Sequence, residues 1–317
     1  MKIVVLDGYT TNPGDLSWDG LKNLGDCDIF DRTSPDKIIE RCESAEIILT
    51  NKTVMSKEIL DKTLNLKYIG LLSTGYNVVD IEAASKIGIV VTNVPSYGTD
   101  SVAQTVFSHI LNLSHHVSEH AASVSAGDWA DIDDFTYQKN QLIELNGKIM
   151  GIIGFGRIGQ KVAEIAIAFG MKVIFYTSSS PSKISSLGKM CSISEVFTDS
   201  DILSLHCPLT EETKYLVNQQ NLNLMKKSAF LINTSRGQLI EEKALLIALE
   251  SGVIAGAGLD VLEIEPPLHD NPLYKVKNCY ITPHYSWATK ESRSRLIDMV
   301  VKNVSSYIEG RVQNQVN

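Results

Sequence analysis

Residues 148–159, KIMGIIGFGRIG, constrain this chain more than any other stretch. A short apolar run (Ile149, Met150, Ile152, Ile153) leads into Gly154-x-Gly156-x-x-Gly159. The glycines pass straight into 160–169, where Ala, Ile and Val recur at helical spacing. The order is strand, tight turn, helix. In such a turn Gly154 permits the bend, Gly156 lets the backbone approach a pyrophosphate, and Gly159 lets helix and strand pack closely. The helix start adds open N–H groups and the positive end of its dipole. Ordinary turns also carry glycines, but strand and helix in these places favour a dinucleotide site.

A chain of 317 residues exceeds the usual size of one core, so two domains are expected. Apolar residues at 44% and charged residues at 21% fit a globular protein in water. A net charge of -8 leaves no basic stripe for phosphates, which argues against nucleic acid as a partner. The five cysteines (Cys27, Cys42, Cys191, Cys207, Cys279) are odd in number and never spaced as CxxC. They read as reduced thiols of a cytoplasmic protein, with neither a disulfide framework nor a zinc site. The opening MKIVVLDG is too short an apolar run for a signal peptide, and no later run is long enough to span a bilayer.

The chain alternates strand-like and helix-like segments. In the first hundred residues, 2–7, 47–51, 68–72 and 90–93 read as strands, with helices at 35–42 and 79–87. After the glycine turn, 172–176, 201–206, 229–233, 255–260 and 279–282 read as strands, with a helix at 242–250 among the crossovers. This pattern predicts mostly parallel sheets with helical crossovers. Val94-Pro95-Ser96-Tyr97-Gly98 is a hinge candidate, and 99–126 reads as one long helix joining the domains. His116 and His120 share a face of it, a spacing that suits a metal but lacks further ligands, so a solvated or interface face is the expectation. The last helix, 289–309, belongs with the first domain. The expected fold class is therefore α/β, with two domains: a doubly wound Rossmann cofactor domain (99–285) inserted into a smaller flavodoxin-like α/β substrate domain (1–98 and 286–317).

Ligands of open α/β sheets gather at the carboxyl ends of strands. The turn STGYNVVD (73–80) lies at one such end, where backbone N–H groups around Thr74 and Gly75 could hold a small carboxylate or merely connect two elements. Three ionisable residues also follow strand ends: Arg236 in INTSRG, Glu265 in LDVLEIEPP and His284 in ITPHYSW. Their types suit ketone reduction. Histidine donates a proton near neutral pH, and a carboxylate on its other nitrogen fixes the tautomer and stabilises the charged ring. A guanidinium grips a substrate carboxylate and polarises the neighbouring carbonyl. Taken singly, Arg236 and Glu265 read more simply as salt-bridge members.

The chain resembles the D-isomer-specific 2-hydroxyacid dehydrogenases over nearly its whole length. The matching pieces, in order, are TGYNVVD (74–80), NVPSYGTDSVAQ (93–104), GIIGFGRIGQ (151–160), LHCPLT (205–210), INTSRGQLI (232–240), AGLDVLEIEPP (257–267) and ITPH (281–284). The resemblance implies that Arg236, Glu265 and His284 are the catalytic set, with His284 as proton donor, Glu265 its partner and Arg236 the substrate anchor. It implies that Thr74 and Gly75 hold the substrate carboxylate. It also implies that Asp260 meets the nicotinamide carboxamide, and that Arg157, Ile158, Cys207, Pro208, Thr213, Thr234 and Ser235 line the cofactor. Members are typically homodimers that close a cleft on binding. Within the family, 74–80 and 94–104 are most similar to the enzymes interconverting hydroxypyruvate and D-glycerate, where Trp287 would help wall a small pocket. Glyoxylate, pyruvate or a bulkier 2-oxo acid remain alternative substrates, and a dinucleotide-sensing scaffold is the alternative from another class.

One position departs from the NAD-preferring pattern. Those relatives place an acid at the end of the second cofactor-domain strand to bind ribose hydroxyls. Here VIFYTSSSPSK (173–183) puts Thr177 there, followed by Ser178, Ser179 and Ser180, with Lys183 beyond. No carboxylate would repel a 2′-phosphate, and the hydroxyls could donate to one. NADP(H) is therefore favoured slightly over NAD(H), although no arginine is present to decide it.

Overall fold

The strands are short Val-, Ile- and Leu-rich runs, and most are buried along their length, as expected where helices cover both faces of a parallel sheet. The computed structural model describes residues 1–178 and 186–317, and the chain divides into two units, Met1–Gly98 with Trp287–Asn317, and Thr99–Ser286. Among the described residues no helix is long and apolar enough to cross a membrane.

The first unit carries β1 (Lys2–Val5), β2 (Asp26–Ile29), β3 (Ile47–Thr50), β4 (Tyr68–Leu71) and β5 (Val90–Thr92). All pair in parallel in the order β2-β1-β3-β4-β5, the flavodoxin-like arrangement. Alternate residues feed two cores. Val4, Ile48, Ile69 and Val91 pack with Ile38, Leu60 and Ala84 on one face. Ile3, Ile47, Leu49 and Tyr68 pack with Leu296, Val300 and Val304 of the Lys290–Ile308 helix on the other. Each buried Ile or Leu contributes roughly 1.5–3 kcal/mol, so the returning C-terminal helix is integral to this unit.

The second unit carries β6 (Ile149–Ile153), β7 (Lys172–Tyr176), β8 (Lys189–Met190), β9 (Ile202–Leu205), β10 (Phe230–Asn233), β11 (Gly256–Leu259) and β12 (Cys279–Ile281). Their order is β12-β11-β10-β9-β6-β7-β8, all parallel. Strand order reverses between β6 and β9, which makes the glycine turn after β6 the switch point of a doubly wound sheet. The helices Thr99–His115 and Arg157–Ala168 cover one face through Val106, Ile110, Val162 and Ala166. Val196, Leu245 and Ala248 cover the other.

Three local features differ from the sequence expectations. The segment 99–126 is two helices, Thr99–His115 and Val117–Ser125, broken at His116, whose φ of 49° is left-handed. Side-chain bonds hold the second helix at its new angle: Glu119 accepts from the Tyr280 hydroxyl at 2.5 Å and from Asn140 at 2.6 Å. Residues 35–42 are a 3-10 turn, Pro35–Lys37, followed by the short helix Ile38–Cys42. Strands β2 and β8 were not expected, since β2 reads DCDI and β8 is two exposed residues, and neither shows an apolar run.

Candidate active site

The turn after β6 is built for close approach. Gly154 has a φ of +93°, and a Cβ there would lie 2.4 Å from the Cys207 nitrogen and the His206 carbonyl carbon. At Gly159 a Cβ would meet the Gly154 oxygen at 2.3 Å, so the helix sits directly against the turn. Gly156 is the N-cap of the Arg157–Ala168 helix, with no side-chain cap and nothing within 4 Å of its Cβ position. Among the described residues no side chain caps this helix start, which leaves room for the close approach a pyrophosphate needs. Arg157 is exposed and Ile158 partly so beside it. Two buried polar atoms at the next strand ends, His206 Nδ1 and Thr234 Oγ1, have no hydrogen-bond partner among the described residues. A cradle a side chain would fill and unpaired polar atoms beside it fit a dinucleotide.

The loops after β10, β11 and β12 carry the ionisable residues. Asn233 ends β10 fully buried, and its amide shapes the next turn by donating to the Arg236 carbonyl at 2.8 Å and accepting from Ser235 N–H at 3.0 Å. Ser235 ties that turn to β9 through the Leu205 carbonyl at 2.8 Å. Arg236 therefore leaves a braced turn with its guanidinium exposed, where Nη1 donates to the Ser235 carbonyl at 2.7 Å.

His284 and Glu265 meet. Nδ1 of the ring lies 2.6 Å from Glu265 Oε2, and Leu262 N–H donates to Glu265 Oε1 at 3.1 Å. A carboxylate beside Nδ1 places a proton there, so the nitrogen available for proton transfer is Nε2. The side chains are 27% and 32% exposed, so the pair stands at the surface of its unit, within reach of a ligand.

Asp260 builds the turn on which His284 sits. Its carbonyl accepts His284 N–H at 2.8 Å, holding a left-handed φ of 50°. Its carboxylate, fully buried, accepts from Thr282 Oγ1 at 2.6 Å, Tyr285 N–H at 3.1 Å and Ser286 N–H at 2.8 Å. These bonds make the Asp260 carboxylate a brace of the turn that carries His284. Asn233 and Thr282 were missed as builders of the site, although each is the first polar residue at a strand end.

Of the other expected cofactor residues, Cys207 is half-buried and its thiol is pushed up to about 11 by burial, which makes it a wall rather than a nucleophile. Thr213 closes the loop that begins at Pro208 by donating to its carbonyl at 2.7 Å. Thr177 is buried and Ser178 exposed, whereas Ser179, Ser180 and Lys183 lie outside the described residues. In the first unit, the turn after β4 is pinned by Thr74 Oγ1 to the Val94 carbonyl at 2.8 Å and by Asn93 to the Thr74 carbonyl at 2.7 Å. Among the described residues none accepts from the N–H groups of Thr74 and Gly75. Trp287 packs edge-on against Tyr97, 6.2 Å between ring centroids, in that same unit.

A doubly wound sheet with a glycine turn at its switch point, and a histidine–carboxylate pair on the same edge, is an arrangement that suits a nicotinamide-dinucleotide oxidoreductase. Comparison with known proteins agrees. The profile described as D-isomer specific 2-hydroxyacid dehydrogenase, NAD binding domain, matches residues 107–286. A hydroxypyruvate reductase from Blautia hydrogenotrophica is 48% identical over the whole of both chains. A glycerate dehydrogenase from Methylorubrum extorquens is 38% identical over 89% of each. Among solved structures, an acyclic imino acid reductase in complex with NADPH and D-Arg superposes with a TM-score of 0.88 at 32% identity, covering all of both chains. The chain belongs to the D-isomer specific 2-hydroxyacid dehydrogenase family.

Proposed function

We propose that this chain reduces small 2-oxo acids, with hydroxypyruvate its principal substrate and D-glycerate the product. The observation that carries the reading is the 2.6 Å contact between His284 and Glu265, on the sheet edge that also bears Arg236. The whole-length likeness to a hydroxypyruvate reductase supports the substrate. The bound dinucleotide supplies a hydride to the carbonyl carbon. His284 delivers the proton from Nε2 to the carbonyl oxygen, while Glu265 fixes the tautomer and balances the charged ring. Arg236 grips the substrate carboxylate and polarises the carbonyl beside it. Within the first unit, the N–H groups of Thr74 and Gly75, which no described residue occupies, suit a small carboxylate, and Trp287 packs there against Tyr97.

We read NADP(H) as the preferred cofactor. Thr177 and exposed Ser178 stand where an acid would repel a 2′-phosphate, and a relative of similar fold is known with NADPH. A homodimer is part of the same proposal. Trp129 is 50% and Phe135 88% exposed, and a groove of about 730 Å³ lined by Leu111, Leu142 and Phe169 lies open in the same unit. Apolar surface of this kind marks a contact face. A sedimentation mass of one chain at micromolar concentration would count against it.

The test is nicotinamide absorbance during hydroxypyruvate reduction, with NADPH and NADH in parallel. Rapid oxidation, faster with NADPH, is expected. Preference for NADH would remove the cofactor assignment and keep the enzyme, and no turnover with either would remove the substrate. His284→Ala is expected to lower kcat by at least about 10²-fold, the scale of a lost general acid, with dinucleotide affinity retained. Lost affinity at an unchanged rate would sink the proton-donor role.

A further inference from the structure

The loop that carries Glu265, residues 263–271, has both feet held by one side chain. Glu242, the first residue of the Glu242–Glu250 helix, accepts from Glu263 N–H through Oε1 at 2.6 Å and from Asn271 Nδ2 through Oε2 at 3.0 Å. The tie is reciprocal: Glu242 N–H donates to Glu263 Oε1 at 3.4 Å. Gln238 adds a bond to the Glu263 carbonyl at 2.6 Å. Beneath the same foot, a Cβ on Gly237 would lie 1.9 Å from the Leu262 carbonyl.

Apolar packing contributes little to this loop. Ile264 is 60% and Leu268 62% exposed, so their burial does not fix the backbone between the two feet. A segment with few buried apolar contacts opens easily unless polar ties hold it. Glu265 needs a defined place, because its Oε2 must stay within hydrogen-bond reach of the His284 ring. Among the described residues the hydrogen bonds of the Glu242 carboxylate go to Glu263 and Asn271, the two feet of the loop that presents Glu265.

We propose that Glu242 is a positioning residue for the Glu265–His284 pair, clamping the two ends of the loop that presents Glu265. The proposal rests on the reading of that pair as the proton-transfer groups. A bland role competes with it, since a carboxylate in the first turn of any helix interacts favourably with the dipole. That role predicts a loss of stability alone. The clamp predicts a loss of rate that passes through Glu265.

The experiment measures hydroxypyruvate reduction by Glu242→Ala, Glu242→Gln, Glu265→Gln and the Glu242→Ala/Glu265→Gln double variant, with dinucleotide Kd by calorimetry and Tm for each. Glu242→Ala is expected to lower kcat by about tenfold to a hundredfold, the scale of a misplaced catalytic group, with Kd within about twofold. Glu242→Gln, which keeps an oxygen for Glu263 N–H, should recover most of the rate. The double variant should be no slower than Glu265→Gln, because two changes acting through one group do not add. If Glu242→Ala fails to fold, Asn271→Ala loosens the other foot and should show the same dependence on Glu265. Unchanged kcat in Glu242→Ala, or multiplicative losses in the double variant, would overturn the clamp. A near-normal rate in Glu265→Gln would overturn the reading of the pair itself, and the clamp with it.

Discussion

His109 shows how one buried side chain ties stability to pH. It is 4% exposed, and its Nε2 lies 3.2 Å from Thr282 Oγ1, whose own hydrogen goes to Asp260 at 2.6 Å. The Thr282 oxygen is then the acceptor, and Nε2 carries the proton. Burial holds His109 below the ordinary histidine value of 6.5, and burial takes His206 down to about 3. Both rings resist protonation in the folded chain, whereas the unfolded chain takes up protons below 6.5. Their contribution is therefore complete above that pH and is lost as pH falls below it. Tm is expected to decline from pH 7 to pH 5, and less steeply in His109→Gln, where the amide keeps the bond to Thr282. An identical slope in both proteins would remove His109 from the account. Sequence pattern alone reaches some of these residues and not others. Arg236, Glu265 and His284 stand out because each follows a strand end, and the switch-point rule then gathers them on one edge. Asp260, Thr282 and Glu242 take their roles from partners 21 to 29 residues away or from backbone groups, which no local pattern reveals.

Glycines set the geometry of two elements, and they do so in opposite ways. Gly156 faces open space, so Gly156→Ala leaves the protein's own packing intact and places a methyl where the pyrophosphate would approach. Dinucleotide Kd is expected to weaken by about tenfold or more while Tm stays within about 1 °C, the mark of a lost close approach rather than lost packing. Gly237 sits against Leu262, so Gly237→Ala must push the Glu265 loop away. There kcat and Tm should both fall with Kd preserved. Calorimetry and thermal melts on the two variants separate the cases, and a matching pattern in both would refute the distinction. The strands that the sequence displays are apolar runs, most of them buried along their length. β2 escapes notice because its two aspartates pair with Lys2 at the sheet edge, at 3.0 and 2.7 Å, and acidic residues do not read as strand. The break at His116 escapes for another reason: apolar periodicity runs on past it, and the left-handed residue is held by Glu119 bonding to Tyr280, far along the chain.

On the scale of the whole molecule, the second unit is an insertion, with the first unit's chain leaving at Gly98 and returning at Trp287. The junction is closed on both sides. Within the first unit, Trp287 Cβ lies 3.5 Å from the place a Gly98 Cβ would take. Within the second, the Ser101 hydroxyl donates to the Ser286 carbonyl, so its two ends are bound together. Ends that already touch need no tether to stay in register, and closing them carries little entropic cost. Residues 99–286 expressed alone should melt cooperatively and still bind a dinucleotide, and joining Gly98 to Trp287 through a few glycines should leave the outer unit foldable. Failure of the excised piece to show a thermal transition would mean that its order depends on the rest of the chain. If it succeeds, the second unit is a self-contained cassette that could be moved between hosts by cutting at one pair of touching ends.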